Sequence, residues 1–255
     1  MHSHVAGDLY QLGACVPGEN GHEAVRVYVL ENAGQPVLID CGSHLHRPEF
    51  MAGLEALLKG VPPAYVFLTH SELPHVGNLQ RVAQRWPAVQ VIVSNVMLPY
   101  IEIPPVLPLS QVTAVRPGTV LDVGGRKLVF LTALLRDQPG SQWIYDTLTR
   151  ALFTGDAFGY YHAAGECEAF SDQLPQDIST ARFLRYHQNA FRFLRWTQPA
   201  RLNADLARLF HARPIDIICP THGNALRTNI SAHLHNVQSA LSSARTALQS
   251  IGQPA

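Results

Sequence analysis

Short apolar runs rich in β-branched residues recur along this chain, and they constrain its fold more than any other feature. Each run is bounded by Gly, Pro, Asn or Asp, which is typical of β-strands. The predicted strands are residues 24–30, 36–41, 64–69, 89–94, 127–135, 143–145, 151–154 and 215–219. They fall into two batches, and each batch is followed by segments with helical periodicity. We therefore predict a layered α+β fold with the four-layer order αββα.

Three segments place apolar residues at helical spacing. They contain Phe50, Leu54, Leu57 and Leu58, then Phe183, Tyr186, Phe191 and Leu194, and finally Ile230, Leu234, Val237 and Leu241. No long linker and no internal repeat interrupts the chain, so we expect one domain over residues 1–255 with a C-terminal helix at about 228–250. Residues 97–109 are too rich in proline for a helix and too apolar for a solvent loop. They form either a loop packed on the core or a lid or subunit contact.

The composition excludes several classes of protein. Of the 255 residues, 47% are hydrophobic and 15% are charged, which is typical of a folded domain and not of a disordered segment. Nineteen basic and nineteen acidic residues give a formal charge of zero, which argues against a nucleic-acid partner. No apolar run approaches the roughly 20 residues that span a bilayer, and the first residues lack a signal-peptide pattern. We expect a cytoplasmic protein without a membrane partner, and a homodimer is compatible with the sequence.

The four cysteines, Cys15, Cys41, Cys167 and Cys219, lie far apart in the sequence. No Cys-x-x-Cys pair is present, so neither a zinc ribbon nor a thioredoxin-type redox motif is available. Free thiols in a reducing compartment are expected. The count that stands out is thirteen histidines, because histidine is the commonest metal ligand.

The strongest chemical signal is the run THSELPHVGN at residues 69–78. It places His70, Glu72 and His75 within six residues at the end of a predicted buried strand. One polar side chain at a strand end is common, but three together form a compact chelate. Asp156 and His222 also follow short apolar strands, although either alone is more often an ordinary turn residue. Convergence of strand-end ligands on one metal site explains the set better than coincidence does.

These segments resemble the metallo-β-lactamase superfamily. The run at 69–78 is similar to its signature Thr-His-x-His-x-Asp-His-x-Gly, and more closely to the His-x-Glu-x-Asp-His variant of the flavodiiron proteins. The run LFTGD at 152–156 looks like the strand that carries the metal-bridging aspartate, and CPTHG at 219–223 looks like the segment with the last histidine. The resemblance covers roughly residues 22–227 and implies a metallo-β-lactamase-like sandwich.

Two departures from the family pattern alter the ligand set that the resemblance implies. The family's aspartate in the first motif is replaced by Pro74, which has no side-chain donor atom. In the run LRDQPGS at 135–141, the matching proline and serine put Asp137 where the family has a histidine. The implied ligands are His70, Glu72, Asp137 and the bridging Asp156 for site one, and His75, His222 and the same bridge for a weaker site two.

Four further residues are candidates for supporting roles around the metals. His22 lies where flavodiiron proteins keep a histidine close to the metal pocket, and His162 follows the bridging aspartate closely enough to line the same cleft. Asp40 matches a superfamily strand-end aspartate that braces the metal loop, and Arg136 is placed to hold the active-site carboxylates. Each of them also has an ordinary alternative as a turn or surface residue.

The resemblance implies a non-haem, di-iron protein that binds or reduces dioxygen or a related diatomic such as nitric oxide. A carboxylate-rich ligand set suits iron, with zinc or manganese as substitutes. Only about 28 residues follow residue 227, too few for a flavodoxin domain. We therefore expect no tightly bound flavin, and a separate flavoprotein or rubredoxin-like protein as the electron donor.

Two other functions remain open at this point. A metal-dependent hydrolase of the same fold is the first alternative, but Glu72 and Pro74 weigh against it because the missing aspartate normally orients the nucleophilic water. The second alternative is a non-catalytic oxygen-sensing module that keeps the pocket without turnover.

Overall fold

The computed structural model describes residues 2–250, so the ends of the predicted domain, residue 1 and residues 251–255, lie outside it. The first sheet contains β1 (His2–Ala6), β2 (Leu9–Gly18), β3 (Gly21–Leu30), β4 (Val37–Ile39), β5 (Tyr65–Phe67), β6 (Gln90–Ser94) and β7 (Val112–Val115). The second sheet contains β8 (Val120–Val123), β9 (Arg126–Thr132), β10 (Gln142–Asp146), β11 (Ala151–Gly155), β12 (Ile217–Pro220) and β13 (Leu226–Arg227). The helices are α1 (Arg47–Leu58), α2 (Leu73–Val76), α3 (Leu79–Arg85), α4 (Thr180–Ala190), α5 (Pro199–Ala212) and α6 (Ile230–Ser250).

Both sheets are mixed. In the first sheet the strands follow chain order, antiparallel from β1 to β4 and parallel from β4 to β7. The second sheet has the order β13-β12-β11-β10-β9-β8, in which only the pair β11 and β12 is parallel. Because β11 and β12 run in the same direction, their carboxyl ends and the loops that follow them lie side by side.

The core consists of three apolar layers. Aromatic side chains fill the space between the sheets, with the rings of Tyr28 and Phe153 centred 5.5 Å apart and those of Phe67 and Phe130 5.4 Å apart. The outer face of the first sheet packs on α1 and α3, and that of the second sheet packs on α4, α5 and α6. This arrangement confirms the predicted αββα sandwich.

Some elements differ from the prediction. The hairpin of β1 and β2 was not predicted, because glycine, proline and polar residues interrupt the apolar alternation of β2. The loosely periodic segment that contains Phe183 and Leu194 is two pieces, since α4 ends at Ala190 and a 3₁₀ turn follows at Arg192–Trp196. Within residues 2–250, no helix is both long enough and apolar enough to cross a membrane.

The proline-rich segment 97–109 is a loop packed on the core. Met97, Ile101 and Leu107 are buried against the α1 side of the first sheet, while Tyr100 and Leu109 are exposed. The structure therefore shows the packed loop of the first interpretation, and a lid or subunit contact stays a prediction.

The loop between β9 and β10, which carries Asp137, is fastened to the first sheet at Gly140. Ser94, at the end of β6, donates a hydrogen bond from Oγ to the Gly140 carbonyl oxygen at 2.6 Å. Gly140 has a φ of +83°, and a Cβ atom there would lie 2.3 Å from the backbone nitrogen of Met97. Only glycine allows this left-handed backbone to approach its neighbour so closely.

We expect Gly140→Ala to lower the free energy of unfolding by about 2 kcal/mol or more, because the left-handed backbone and the contact with Met97 both become strained. Denaturant unfolding followed by circular dichroism measures this change. Gly53→Ala in α1 is the matched control, since its new methyl group meets only Leu12 at 4.0 Å. Alanine at that helical position should raise stability by up to about 1 kcal/mol. Wild-type stability in Gly140→Ala would contradict the close approach.

Candidate metal centre

The six predicted ligands lie in loops that follow strands. His70, Glu72 and His75 come after β5, where Glu72 directly precedes the short helix α2 and His75 lies within it. Pro74 is tolerated near the start of α2 because the first turn of a helix needs no donor from its backbone nitrogens. The other three ligands, Asp137, Asp156 and His222, follow β9, β11 and β12 of the second sheet.

The structure brings these side chains together around Asp156. Its Oδ1 atom lies 3.0 Å from His75 Nε2, 3.4 Å from His222 Nε2 and 3.6 Å from His70 Nε2. On the other side, His70 Nε2 lies 3.3 Å from Asp137 Oδ2 and 4.0 Å from Glu72 Oε2. Two groups of these side chains have metal-ligand spacing: His70, Glu72, Asp137 and Asp156 form the first, and His75 forms the second together with the shared His70 and Asp156. His222 belongs to neither group, although its Nε2 atom lies 3.4 Å from Asp156 Oδ1.

Four of the converging atoms are buried and make no hydrogen bond of good geometry, although His75 Nε2 and Asp156 Oδ1 lie 3.0 Å apart. They are His70 Nε2, His75 Nε2, Asp137 Oδ2 and Asp156 Oδ1. A buried polar atom that lacks a partner costs about 1–3 kcal/mol, and four such atoms that face one another are a poor arrangement for a protein alone. A cation at their centre would satisfy all of them, so the donor set fits bound metal.

Asp40 orients the first-sheet ligands. Its Oδ2 lies 2.7 Å from His75 Nδ1 and accepts a hydrogen bond from Thr69 Oγ1 at 2.8 Å, and its Oδ1 accepts one from the Thr69 backbone nitrogen at 2.7 Å. Thr221 Oγ1, in the loop that carries His222, lies 3.3 Å from the same Oδ2 atom. A carboxylate on Nδ1 fixes the ring so that Nε2 faces the site, which is the usual role of outer partners of metal-binding histidines.

Four further residues, which were not predicted as supporting residues, contact the ligands. Glu23 of β3 lies 2.7 Å from His222 Nδ1, and the ring of Tyr186 stacks on the His222 imidazole with centroids 5.8 Å apart. Gln138 Nε2 donates to Glu72 Oε1 at 2.6 Å, and Ser141 Oγ donates to Asp137 Oδ1 at 3.1 Å. Of these, only Gln138 and Ser141 lie in a segment that the family pattern had singled out.

The charges of the cluster depend on burial and on close neighbours. Burial, together with the imidazole of His75, lowers the pKa of His70 to about 4. Burial also disfavours a charged His75, but the carboxylates of Asp40 and Asp156 outweigh it and raise the pKa of His75 to about 10. Burial beside Asp156 raises the pKa of Asp137 to about 6. Without a cation, His75 therefore carries a proton on each ring nitrogen, and metal binding must displace the one on Nε2.

Three of the predicted supporting residues do not contact the ligands. Arg136 is exposed and makes no hydrogen bond or ion pair with the residues that the structure describes, so the carboxylates are held by Gln138 and Ser141 instead. His22 and His162 pair with each other through their backbones and face two cysteines. Glu23 and His22 are neighbours on β3, and side chains alternate along a strand, so His22 points away from His222.

Comparison with known proteins supports the resemblance. An anaerobic nitric oxide reductase flavorubredoxin from Aliivibrio salmonicida is 26% identical over 200 residues, which are 78% of this chain and 39% of that protein. One from Aeromonas hydrophila is 29% identical over 157 residues, 61% of this chain and 31% of that protein. This chain therefore spans well under half the length of the curated relatives that it matches.

Solved structures share the fold. The rubredoxin oxygen:oxidoreductase from Desulfovibrio gigas superposes with a TM-score of 0.75 at 18% identity, covering 98% of this chain and 62% of that one. The flavodiiron protein from Giardia intestinalis gives a TM-score of 0.76 at 16% identity, covering 98% of this chain and 60% of that one. The family model of the metallo-beta-lactamase superfamily matches residues 20–182, more than half of the chain. With its sandwich fold and its strand-end motifs, this chain belongs to the metallo-beta-lactamase superfamily.

Proposed function

We propose that this chain is the metal-binding domain of a non-haem, di-iron oxidoreductase that reduces dioxygen or a related diatomic such as nitric oxide. The observation that carries the proposal is the convergence of buried, unpartnered histidine nitrogens and carboxylate oxygens from both sheets on Asp156. The named activities of the relatives, nitric oxide reductase and rubredoxin oxygen:oxidoreductase, favour the same chemistry.

The donor set favours two metal positions of unequal strength. His70, Glu72, Asp137 and Asp156 would hold one ion through three carboxylates and one imidazole, a hard set that suits iron or manganese. His75, His222 and Asp156 would hold the second through only three groups. Bound iron supplies one-electron chemistry between its ferrous and ferric states.

The protein's own contribution is to position the ligands and protect them from water. Asp40 and Glu23 hold the Nδ1 sides of His75 and His222, so the Nε2 atoms of both rings face Asp156. Tyr186 covers His222, and burial keeps the phenol protonated by raising its pKa well above the usual value. The proposal places the protein in the cytoplasm, with a separate flavoprotein or rubredoxin-like protein as the electron donor.

The role of Asp40 is tested by Asp40→Asn. The side-chain oxygen of the asparagine still accepts the hydrogen bond from the Thr69 backbone nitrogen. The NH₂ group of the asparagine then faces His75 Nδ1, which must accept a hydrogen bond from it. The ring proton therefore moves to Nε2, the atom that faces the metal. We expect the affinity of site two, the weaker site, for ferrous iron to fall by about 10- to 100-fold.

The fold should survive this change, because asparagine tolerates the left-handed backbone of Asp40, whose φ is +65°. Anaerobic ferrous titration measures the affinity, and circular dichroism checks that the variant is folded. Wild-type affinity in the folded variant would show that Asp40 does not set the tautomer of His75.

Pro74 is tested as the missing ligand. Anaerobic titration of the wild type should show one tight and one weaker ferrous equivalent, because site two has the smaller ligand set. We expect Pro74→Asp to tighten the weaker equivalent by about tenfold or more, since it adds a carboxylate next to His75. Pro74→Ala is the matched control, because it removes the proline ring without adding a donor atom. Two equally tight equivalents in the wild type would contradict the asymmetry.

The electron supply is tested with an oxygen electrode. We expect prereduced, iron-loaded protein to consume at most about one dioxygen per reduced centre and then stop. Two irons hold two electrons, which reduce one dioxygen to peroxide or half a dioxygen to water. Nicotinamide cofactor alone should not restart consumption, whereas a flavoprotein or rubredoxin-like donor should. Sustained consumption with nicotinamide cofactor alone would contradict the need for a donor protein.

Two other experimental outcomes would contradict the proposed function and support a different one. Reversible binding of dioxygen without consumption, even with a donor, would identify a sensor. Turnover of nitrophenyl esters by the zinc-loaded protein, lost in His70→Ala, would identify a hydrolase.

A further inference from the structure

Two cysteines and two histidines meet outside the candidate metal centre. We call Cys15, His22, His162 and Cys167 the Cys–His cluster. Cys15 Sγ lies 3.2 Å from His162 Nε2, and Cys167 Sγ lies 3.3 Å from His22 Nδ1. The sulfur atoms of both cysteines and a ring nitrogen of His162 all lie within 4.8 Å of one another.

The backbone holds these residues in place from several elements. Cys15 lies on β2 and His22 on β3, and the backbones of His22 and His162 exchange hydrogen bonds of 2.8 and 3.0 Å. Asn224 Nδ2 donates to the carbonyl oxygens of residues 166, 167 and 169, at 2.9–3.2 Å. The fold therefore fixes the backbone positions of the cluster.

We propose that the Cys–His cluster is a second metal site, which binds one zinc ion or an ion of similar softness through two thiolates and two imidazoles. Zinc prefers four such ligands in a tetrahedron, with Zn–S near 2.3 Å and Zn–N near 2.0–2.1 Å. Those bond lengths place neighbouring sulfur and nitrogen atoms about 3.6 Å apart. The observed sulfur–nitrogen distances of 3.2 and 3.3 Å are within a few tenths of an ångström of that separation.

Burial and charge also suit a cation. The His162 side chain is 3% exposed, and its Nε2 atom faces Cys15. Two thiolates would balance the charge of a divalent ion. The guanidinium of Arg26 next to the cluster donates to the Cys167 carbonyl and lies 3.7 Å from Cys15 Sγ, while Glu168 at 3.3 Å offsets its charge.

A closed site of this type would be structural, because all four positions of the tetrahedron are taken by protein. It would join β2 and β3 to the loop at 162–167. Since Asn224 holds that loop and is two residues from His222, an ion in the cluster would also stabilise the segment that carries the last ligand of the candidate metal centre.

The first test uses the wild-type chain. Metal-stripped, fully reduced protein is treated with iodoacetamide with and without zinc in excess over all the proposed metal positions, and alkylation of each cysteine is followed by mass spectrometry. We expect zinc to slow alkylation of Cys15 and Cys167 by about tenfold or more, since a coordinated thiolate is a poor nucleophile. Cys41 and Cys219, which are buried elsewhere in the core, serve as internal controls. Equal alkylation of Cys15 and Cys167 with and without zinc would overturn the proposal.

The second test uses cobalt as a spectroscopic substitute for zinc. Wild-type protein should show thiolate-to-cobalt charge-transfer absorption and the intense visible bands of a tetrahedral site. Cys15→Ser and Cys167→Ser should each lower the affinity of the cluster for cobalt by more than about 100-fold. Loss of a residue that only supports a metal ligand typically costs roughly 10- to 100-fold, and loss of a ligand should cost more. Cys219→Ala is the matched control and should keep the signal.

The outcome is independent of the candidate metal centre. His70→Ala should keep the charge-transfer absorption, because no residue of that centre supplies a thiolate. Absence of the signal from reduced wild-type protein would overturn the proposal. A Cys15–Cys167 disulfide in freshly purified protein would also overturn it and would assign the pair to thiol redox chemistry.

Discussion

The carboxylate of Asp40 is the interaction on which the arrangement around the metal centre depends. It accepts hydrogen bonds from the backbone and side chain of Thr69, faces His75 Nδ1, and lies 3.3 Å from Thr221 in the loop after β12. A buried carboxylate is stable only when such donors surround it. The left-handed backbone at Asp40 costs about 1–3 kcal/mol, and this network is what offsets it. One side chain therefore sets the relative positions of three loops.

A second connection joins the sheets beside the ligands. Gln142 of β10 donates from its backbone nitrogen to the Thr69 carbonyl and from Nε2 to the Leu68 carbonyl, both at 2.9 Å. The end of β5 is thus paired across the sandwich with the strand that follows the Asp137 loop. Because Asp137 and Asp156 come from one sheet and His70 from the other, correct packing of the sheets is a condition for the ligand geometry.

The sequence predicted the parts of the site that lie at strand ends and missed the parts built by long-range contact. His70, Glu72 and His75 were found because a short apolar strand directly precedes a dense set of donors. Glu23, by contrast, is an ordinary strand residue whose partner His222 lies almost two hundred positions away, so no local pattern indicates its role.

The Cys–His cluster shows the same limit more clearly. The absence of a Cys-x-x-Cys pair led us to treat all four cysteines as isolated thiols, yet the β2–β3 hairpin and the loop at 162–167 bring Cys15 and Cys167 together.

Arg136 is the opposite case. Its place beside Asp137 in the sequence suggested a contact, but the loop turns its side chain towards solvent.

The position of β12 inside the second sheet has a consequence for the order in which the protein is made. This strand pairs with β11 on one side and β13 on the other, although it comes after α4 and α5 in the chain. During synthesis, the residues that carry His70, Glu72, Asp137 and Asp156 all leave the ribosome before β12 does. Until then β11 is open on the side that faces β12, and the loop after it lacks the backbone hydrogen bonds that join Gly155 to Thr221 and Tyr160 to His222. The metal centre is therefore completed late, after most of the chain has been made, and contacts so distant in sequence also make its assembly slow.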